Sequence, residues 1–269
     1  MAEIKKGKRM KRLIQKKLKK TKENLYYILS ALMIGLIVGG IDALFGRVLI
    51  AITDFRGRYI QIFIWFLPIA GLFICWMYHR FNEMSLKGMT LVLETAQGKR
   101  ADIPLALVPL VMVGTWITHL FGGSAGREGV AVQIGATLSH WFARRFKFAD
   151  NRTILLIAGM AAGFGGLFQT PFAAVFFAME VVVTGKMLYQ AFLPSLVAAV
   201  TASTFSNALG LEKFAVPLKQ SFNLSESKTM FYMVILGVSF GLTGRVFSVL
   251  LKRAKAFMGE KPCFQCYQY

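Results

Sequence analysis

Gly122-Gly123-Ser124-Ala125-Gly126-Arg127-Glu128-Gly129 joins two apolar stretches, residues 103–121 before it and 130–142 after it. Its small residues let the backbone turn sharply and present its N–H groups. A helix starting just after Gly126 would aim its positive dipole end and its free N–H groups at whatever lies ahead. Such an end binds an anion without a fixed cation, so the anion can leave again. Glu128 stands at this helix start, where its carboxylate can occupy the anion's place until protonation withdraws it. Burial favours a neutral carboxyl, and a helix start or a neighbouring guanidinium favours the carboxylate. A group under both pressures is a candidate gate and proton carrier. The eight residues alone allow a second reading equally well, a helix-capping glutamate paired with Arg127 at a membrane surface.

The surrounding composition places this stretch in lipid. Of 269 residues, 55% are hydrophobic and 17% charged, with a mean hydropathy of +0.53, whereas soluble domains carry about 25% charge. Several apolar runs reach the ~20 residues that cross a bilayer as a helix. No even succession of alternating ten-residue segments suggests a barrel. The expected class is an all-α polytopic membrane protein.

The net charge of +19 is concentrated: eleven of the 32 Lys and Arg residues lie between Lys5 and Lys22. A basic block directly before the first apolar run is expected in the cytoplasm, where it can rest on anionic lipid headgroups. Nucleic acid is not an expected partner, because no aromatic residue is interleaved before Tyr26 to stack on bases. The run over residues 25–52 is too long for the core of a cleaved signal peptide. Cys263-Phe264-Gln265-Cys266 is a lone CxxC without histidines nearby, so no metal site is expected. Nothing in the chain calls for a cofactor or for enzymatic catalysis.

The expected organisation is a basic tail over residues 1–24, a membrane domain over 25–255 and a tail of different character over 256–269. Within the membrane domain we expect helices over 25–53 and 59–78, separated by the basic turn Asp54-Phe55-Arg56-Gly57-Arg58. A short element follows over 88–96, then apolar segments over 103–121, 130–142, 154–166, 172–184 and 188–209, and a last helix over 230–251. Short segments broken by Gly and Pro, mixed with full spans, are what transporters use to build ion sites near the midplane. Gly35-x-x-x-Gly39, Gly159-x-x-x-Gly163 and Gly237-x-x-x-Gly241 would let helices pack closely.

Gly126-Arg127-Glu128-Gly129, running into Val130-Ala131-Val132-Gln133-Ile134-Gly135, resembles the CLC family of chloride channels and anion/proton antiporters. The family pattern is Gly-Lys/Arg-Glu-Gly-Pro followed by a Val-Gln-Ile-Gly helix. Ala161-Ala162-Gly163-Phe164-Gly165-Gly166-Leu167-Phe168-Gln169-Thr170-Pro171 resembles its Ala-Ala-Gly…Phe-Asn-Ala-Pro segment. Phe176-Phe177-Ala178-Met179-Glu180 resembles the apolar run ending in Glu that follows. The likeness covers residues 25–255 and implies a homodimer in which each subunit is an inverted repeat with its own pathway for fluoride or chloride and protons. The gating glutamate would be Glu128, with anion-binding residues at Gly126, Arg127, Gly129 and Val130.

The departures from the pattern point to one branch. The family's first anion loop reads Gly-Ser-Gly-Ile-Pro, and here the corresponding residues are Gly88, Met89 and Thr90. Met89 offers no hydroxyl donor, and Val130 replaces the usual Pro. Both resemble the fluoride-specialised branch, which implies fluoride export in exchange for inward protons at the cell membrane. A chloride/proton antiporter or a chloride channel is the alternative. Placing Glu180 on the first of the family's adjacent acids puts Val181 on the inner proton-transfer position. Glu180 is then expected as a structural intramembrane acid bonded to backbone. The family's Gly-x-Phe-x-Pro loop of the second half is absent, so the expected architecture is the first half of the repeat plus one further helix. On that reading the chain is a truncated or frameshifted product that does not transport alone, or a non-transporting membrane fragment.

Overall fold

In a computed structural model the first helix, α1 (Ala2–Phe63), carries both the basic segment and the first apolar run. The structure describes residues 2–100, 102–146, 152–182, 186–213 and 226–259, of which the side chains of 2–24, 255, 258 and 259 are not described. The Cys263/Cys266 pair lies outside the described residues.

Two expected boundaries are corrected in α1. No break separates a tail ending at residue 24 from a helix beginning at 25, because Lys and Arg are good helix formers and no Pro intervenes. Asp54–Arg58 is helical as well, since a single Gly57 costs a helix only ~1 kcal/mol. The kink falls instead at Tyr59, with φ −130 and ψ 17. A short 3-10 turn over Ile64–Phe66 leads into α2 (Leu67–Phe81). Asn82 then takes the chain out of the helix, its side chain accepting the Ser85 N–H at 3.0 Å.

The remaining helices are α3 (Met89–Ala96), α4 (Leu107–Leu120), α5 (Glu128–Arg145), α6 (Arg152–Phe168), α7 (Pro171–Val181), α8 (Phe192–Ala208) and α9 (Ser227–Gly259). They fall into two units, Met1–Lys213 and Phe214–Tyr269, a division inside the single membrane domain expected over 25–255. Among the described residues, three segments are long and apolar enough to span a bilayer: Leu25–Phe81, Tyr189–Ala208 and Ser227–Ala254. Leu107–Leu120, Arg152–Phe168 and Pro171–Val181 are apolar but shorter. This mixture of full and partial spans is that of a multi-pass membrane protein.

Small residues set the packing of the first unit. On α1, a Cβ at Gly35 or Gly39 would stand 2.7 Å from the carbonyl oxygen of Ala198 or Ala202 on α8. On α5 and α6, a Cβ at Gly135 would overlap the Gly159 carbonyl, and one at Gly163 would overlap that of Ala131. The helices therefore touch backbone to backbone, and α6 lies fully covered from Ile154 to Gly163. The second unit holds α9, where no atom comes within 4 Å of a Cβ built at Gly237 or Gly241. The close packing expected at that spacing is not seen among the described residues.

At the C-terminal end of α5 an ion cluster ties down the loop before α4. Arg144 Nη1 pairs with Asp102 Oδ1, and His140 Nε2 lies 3.2 Å from the same oxygen. Partial burial pushes the Asp102 carboxyl up, but Arg144 and His140 outweigh it and hold the group below its ordinary value of 3.8. A carboxyl held low in the folded state adds stability above its unfolded pKa and loses it as pH falls through the folded value. Acidifying below about 3.8 should therefore lower the melting temperature. Asp102→Asn should remove that component, by under ~1 kcal/mol because the pair is half exposed. An unchanged acid limb in Asp102→Asn would show that the pair adds nothing.

Candidate functional site

The glycine-rich stretch ends where α5 begins. Arg127 is the N-cap, with φ −84 and ψ −24 and no side-chain cap, and Glu128 is the first helical residue. The Ala131 N–H donates to the Arg127 carbonyl at 3.1 Å and closes the first turn. The N–H groups of Glu128, Gly129 and Val130 precede that bond and have no partner within the helix, the usual state of a helix start. Ahead of them Gly126 is exposed, with nothing within 4 Å of its Cβ position. Glu128 is exposed and makes no ion pair with Arg127 among the described residues. The capping alternative therefore lacks its contact, and the carboxylate stands free at the mouth of the helix.

A second helix start is built the same way. Gly88 caps α3 with φ 50 and ψ −122 and no side-chain bond, a conformation that suits glycine because it has no Cβ to clash. Met89 is the first residue of α3 and Thr90 the second. Met89 is half-buried and packs on the core that holds Leu91 and Val92, whereas Thr90 is exposed.

Gln133 brings the two starts together. It lies on α5 one turn beyond Gly129 and is 8% exposed. A Cβ on Gly88 would stand 3.4 Å from its Oε1, and one on Gly129 would stand 3.7 Å from its Nε2. Both helix starts thus flank one buried amide, which a Cβ at either glycine would meet at ordinary van der Waals distance. Val130 is 6% exposed and packs with Ala43, Val108 and Val111, anchoring the first turn of α5. Of the expected anion-site residues, Gly88 and Gly129 are joined through Gln133, with Met89 and Val130 beside them in sequence. Arg127 is half-buried and points to no acid among the described residues.

Glu180 does not show the expected backbone bond among the described residues, and it is exposed. The buried face of α7 is made by Ala174, Val175, Ala178 and Met179, so Glu180 falls on the opposite side. Val181 packs against the core.

Gln133 stands in the motif quoted above without an expected role, although an amide between Val132 and Ile134 was a signal. Asp42 had none either, although it is the single acid within the apolar run of residues 25–53.

A family model described as voltage gated chloride channel matches residues 70–267. The chain belongs to this CLC family. Among CLC relatives, the chloride/fluoride channel protein of Pseudomonas syringae pv. tomato is 34% identical over 227 residues, covering 84% of this chain and 50% of that protein. The H(+)/Cl(-) exchange transporter ClcA of Salmonella arizonae is 25% identical over 263 residues, covering 91% and 54%. Among solved structures, a CLC-type fluoride/proton antiporter superposes with a TM-score of 0.82 at 45% identity, covering 88% of this chain and 60% of that one. A slow cyanobacterial Cl−/H+ antiporter superposes with a TM-score of 0.73 at 22% identity, which shows the CLC fold alone. The chain spans about half the length of the curated relatives it matches.

Proposed function

We propose that this CLC chain carries the gate and the first anion loop of a fluoride/proton antiporter that exports fluoride against inward protons. The observation behind this is the pair of uncapped helix starts, α3 and α5, that flank Gln133 with Glu128 at the head of one. Their free N–H groups offer an anion hydrogen bonds and positive dipole ends without a fixed cation. Glu128, when ionised, repels the anion from that place; when neutral, it admits the anion and carries a proton. Coupling between the two ions follows from one group serving both.

Met89 supports fluoride through its resemblance to the fluoride-specialised branch, where the start of α3 offers the anion no hydroxyl donor. The structural likeness to a fluoride/proton antiporter at 45% identity supports the same ion. The basic segment ahead of residue 25 supports a cytoplasmic N-terminus in the cell membrane. A homodimer accords with the family reading.

The test is fluoride binding to the chain in lipid nanodiscs, followed by fluorine NMR, with proton uptake recorded at the same time. Fluoride should bind with linked proton uptake, and chloride should not displace it at equal concentration. In Met89→Ser the added donor should tighten chloride about tenfold, the worth of one hydrogen bond to a charged group. Equal binding of chloride in the unmutated chain would favour the chloride antiporter or channel. Fluoride binding without proton uptake would overturn the antiport.

A further inference from the structure

Asp42 is a fully buried acid with no counterpart. It lies within the span of α1, is 0% exposed, and among the described residues neither carboxyl oxygen has a hydrogen-bond partner. Its surroundings are set by α6 and α8. A Cβ on Gly166 of α6 would stand 2.5 Å from Asp42 Oδ2, so the absence of a side chain there makes room for the carboxyl. Ser206 of α8, itself 0% exposed, donates its hydroxyl to the Gly166 carbonyl at 2.6 Å. That hydroxyl proton is therefore engaged beside Asp42.

The register of the packed helices places this acid level with Glu128. On the antiparallel pair α5 and α6, Gly135 meets Gly159 and Ala131 meets Gly163. One turn further along each helix, Glu128 comes level with Gly166. On the parallel pair α1 and α8, Gly35 meets Ala198 and Gly39 meets Ala202. One turn further brings Asp42 and Ser206 to that same level.

No titratable side chain of the packed helices faces Asp42 among the described residues. α8 has none, and α6 has only Arg152 at its opposite end. Arg47 of α1 donates to the Leu209 carbonyl, and His119 of α4 bonds back to Thr115 on its own helix. At the head of α5, Glu128 is exposed and Arg127 is half-buried, and His140, Arg144 and Arg145 lie at its far end. A carboxylate there would have neither counter-charge nor donor, and an isolated buried charge takes up a proton instead. Intramembrane acids are rare and mark ion or proton paths.

We propose that Asp42 is a second proton-binding site of this chain, a neutral carboxylic acid held between α1, α6 and α8 at the level of Glu128. Its place in antiport rests on the reading of Glu128, but its protonation does not.

Infrared spectra of the chain in nanodiscs at pH 7 test the site, recorded in a Glu128→Gln background to remove the other candidate acid. A carbonyl stretch of a protonated carboxylic acid should be present, exchange slowly in heavy water, and disappear in Asp42→Asn, with helical content unchanged. A spectrum that Asp42→Asn leaves unaltered overturns the proposal. If that variant does not fold, carbon-13 aspartate labelling of the unmutated chain serves. One of the four aspartates should keep the shift of a protonated acid at pH 7, and four ionised carboxylates overturn the site. An Asp42 band in a chain whose fluoride binding takes up no proton upholds this site and overturns the reading of Glu128 instead.

Discussion

Gly159→Ala should destabilise the first unit by more than ~3 kcal/mol, beyond the usual 1–3 for an overpacked core. The added methyl has no flexible neighbour to displace. At Gly159 it would fall on the Ser139 side chain and the Gly135 carbonyl. The Gly135 carbonyl and the Ser139 Cβ remain in the way even if the serine hydroxyl turns aside, so only separation of α5 from α6 relieves the clash. Separation would undo the buried run of α6 and shift the head of α5, where Glu128 sits. Gly71→Ala on α2 is the control, with nothing within 4 Å of its Cβ. It should be neutral or stabilising by up to ~1 kcal/mol, the ordinary gain of alanine over glycine in a helix. Thermal unfolding in one detergent compares the two, and a Gly159→Ala variant that melts with the parent would disprove the contact.

Glu128→Gln should abolish fluoride-linked proton uptake while the anion still binds. Glutamine keeps the size and polarity of the side chain but cannot ionise, so it neither repels an anion nor carries a proton. Loss of the negative charge at the mouth of α5 should tighten fluoride ~10-fold or more, from the Coulomb repulsion removed near a partly solvated site. Glu128 is exposed and has no ion pair among the described residues, so the substitution leaves the packing of α5 intact and its effect reads the gate alone. Calorimetry in buffers of different ionisation heat separates proton uptake from anion binding. Uptake that persists in Glu128→Gln would move the proton to another group and remove Glu128 from the cycle.

Much of the site was legible before any coordinates. The glycines around Glu128 announced a helix start, and α5 begins at that residue, where the run of small residues ends and no Pro follows. The short element expected over 88–96 is α3, capped by Gly88 at positive φ; an anion-loop role for it came from the resemblance alone. The breaks inside α1 were misread, because a Gly flanked by charges looks like a turn in one dimension while the helix continues through it. The exposure of Glu180 was not legible, because α7 is apolar all round and its sequence does not say which face is buried.

The sequence by itself determined the membrane class, the helix starts at Gly88 and Gly126–Glu128, and the family, because these rest on local composition and on short contiguous motifs. Only the tertiary structure decided that Gln133 lies beside both starts, that Glu180 is exposed, and that Asp42 is fully buried. Each of those depends on how helices distant in the chain are rotated and offset against one another. That rotation is set by backbone contacts at Gly35, Gly39, Gly135, Gly159 and Gly163, and no single stretch of sequence records both sides of such a contact.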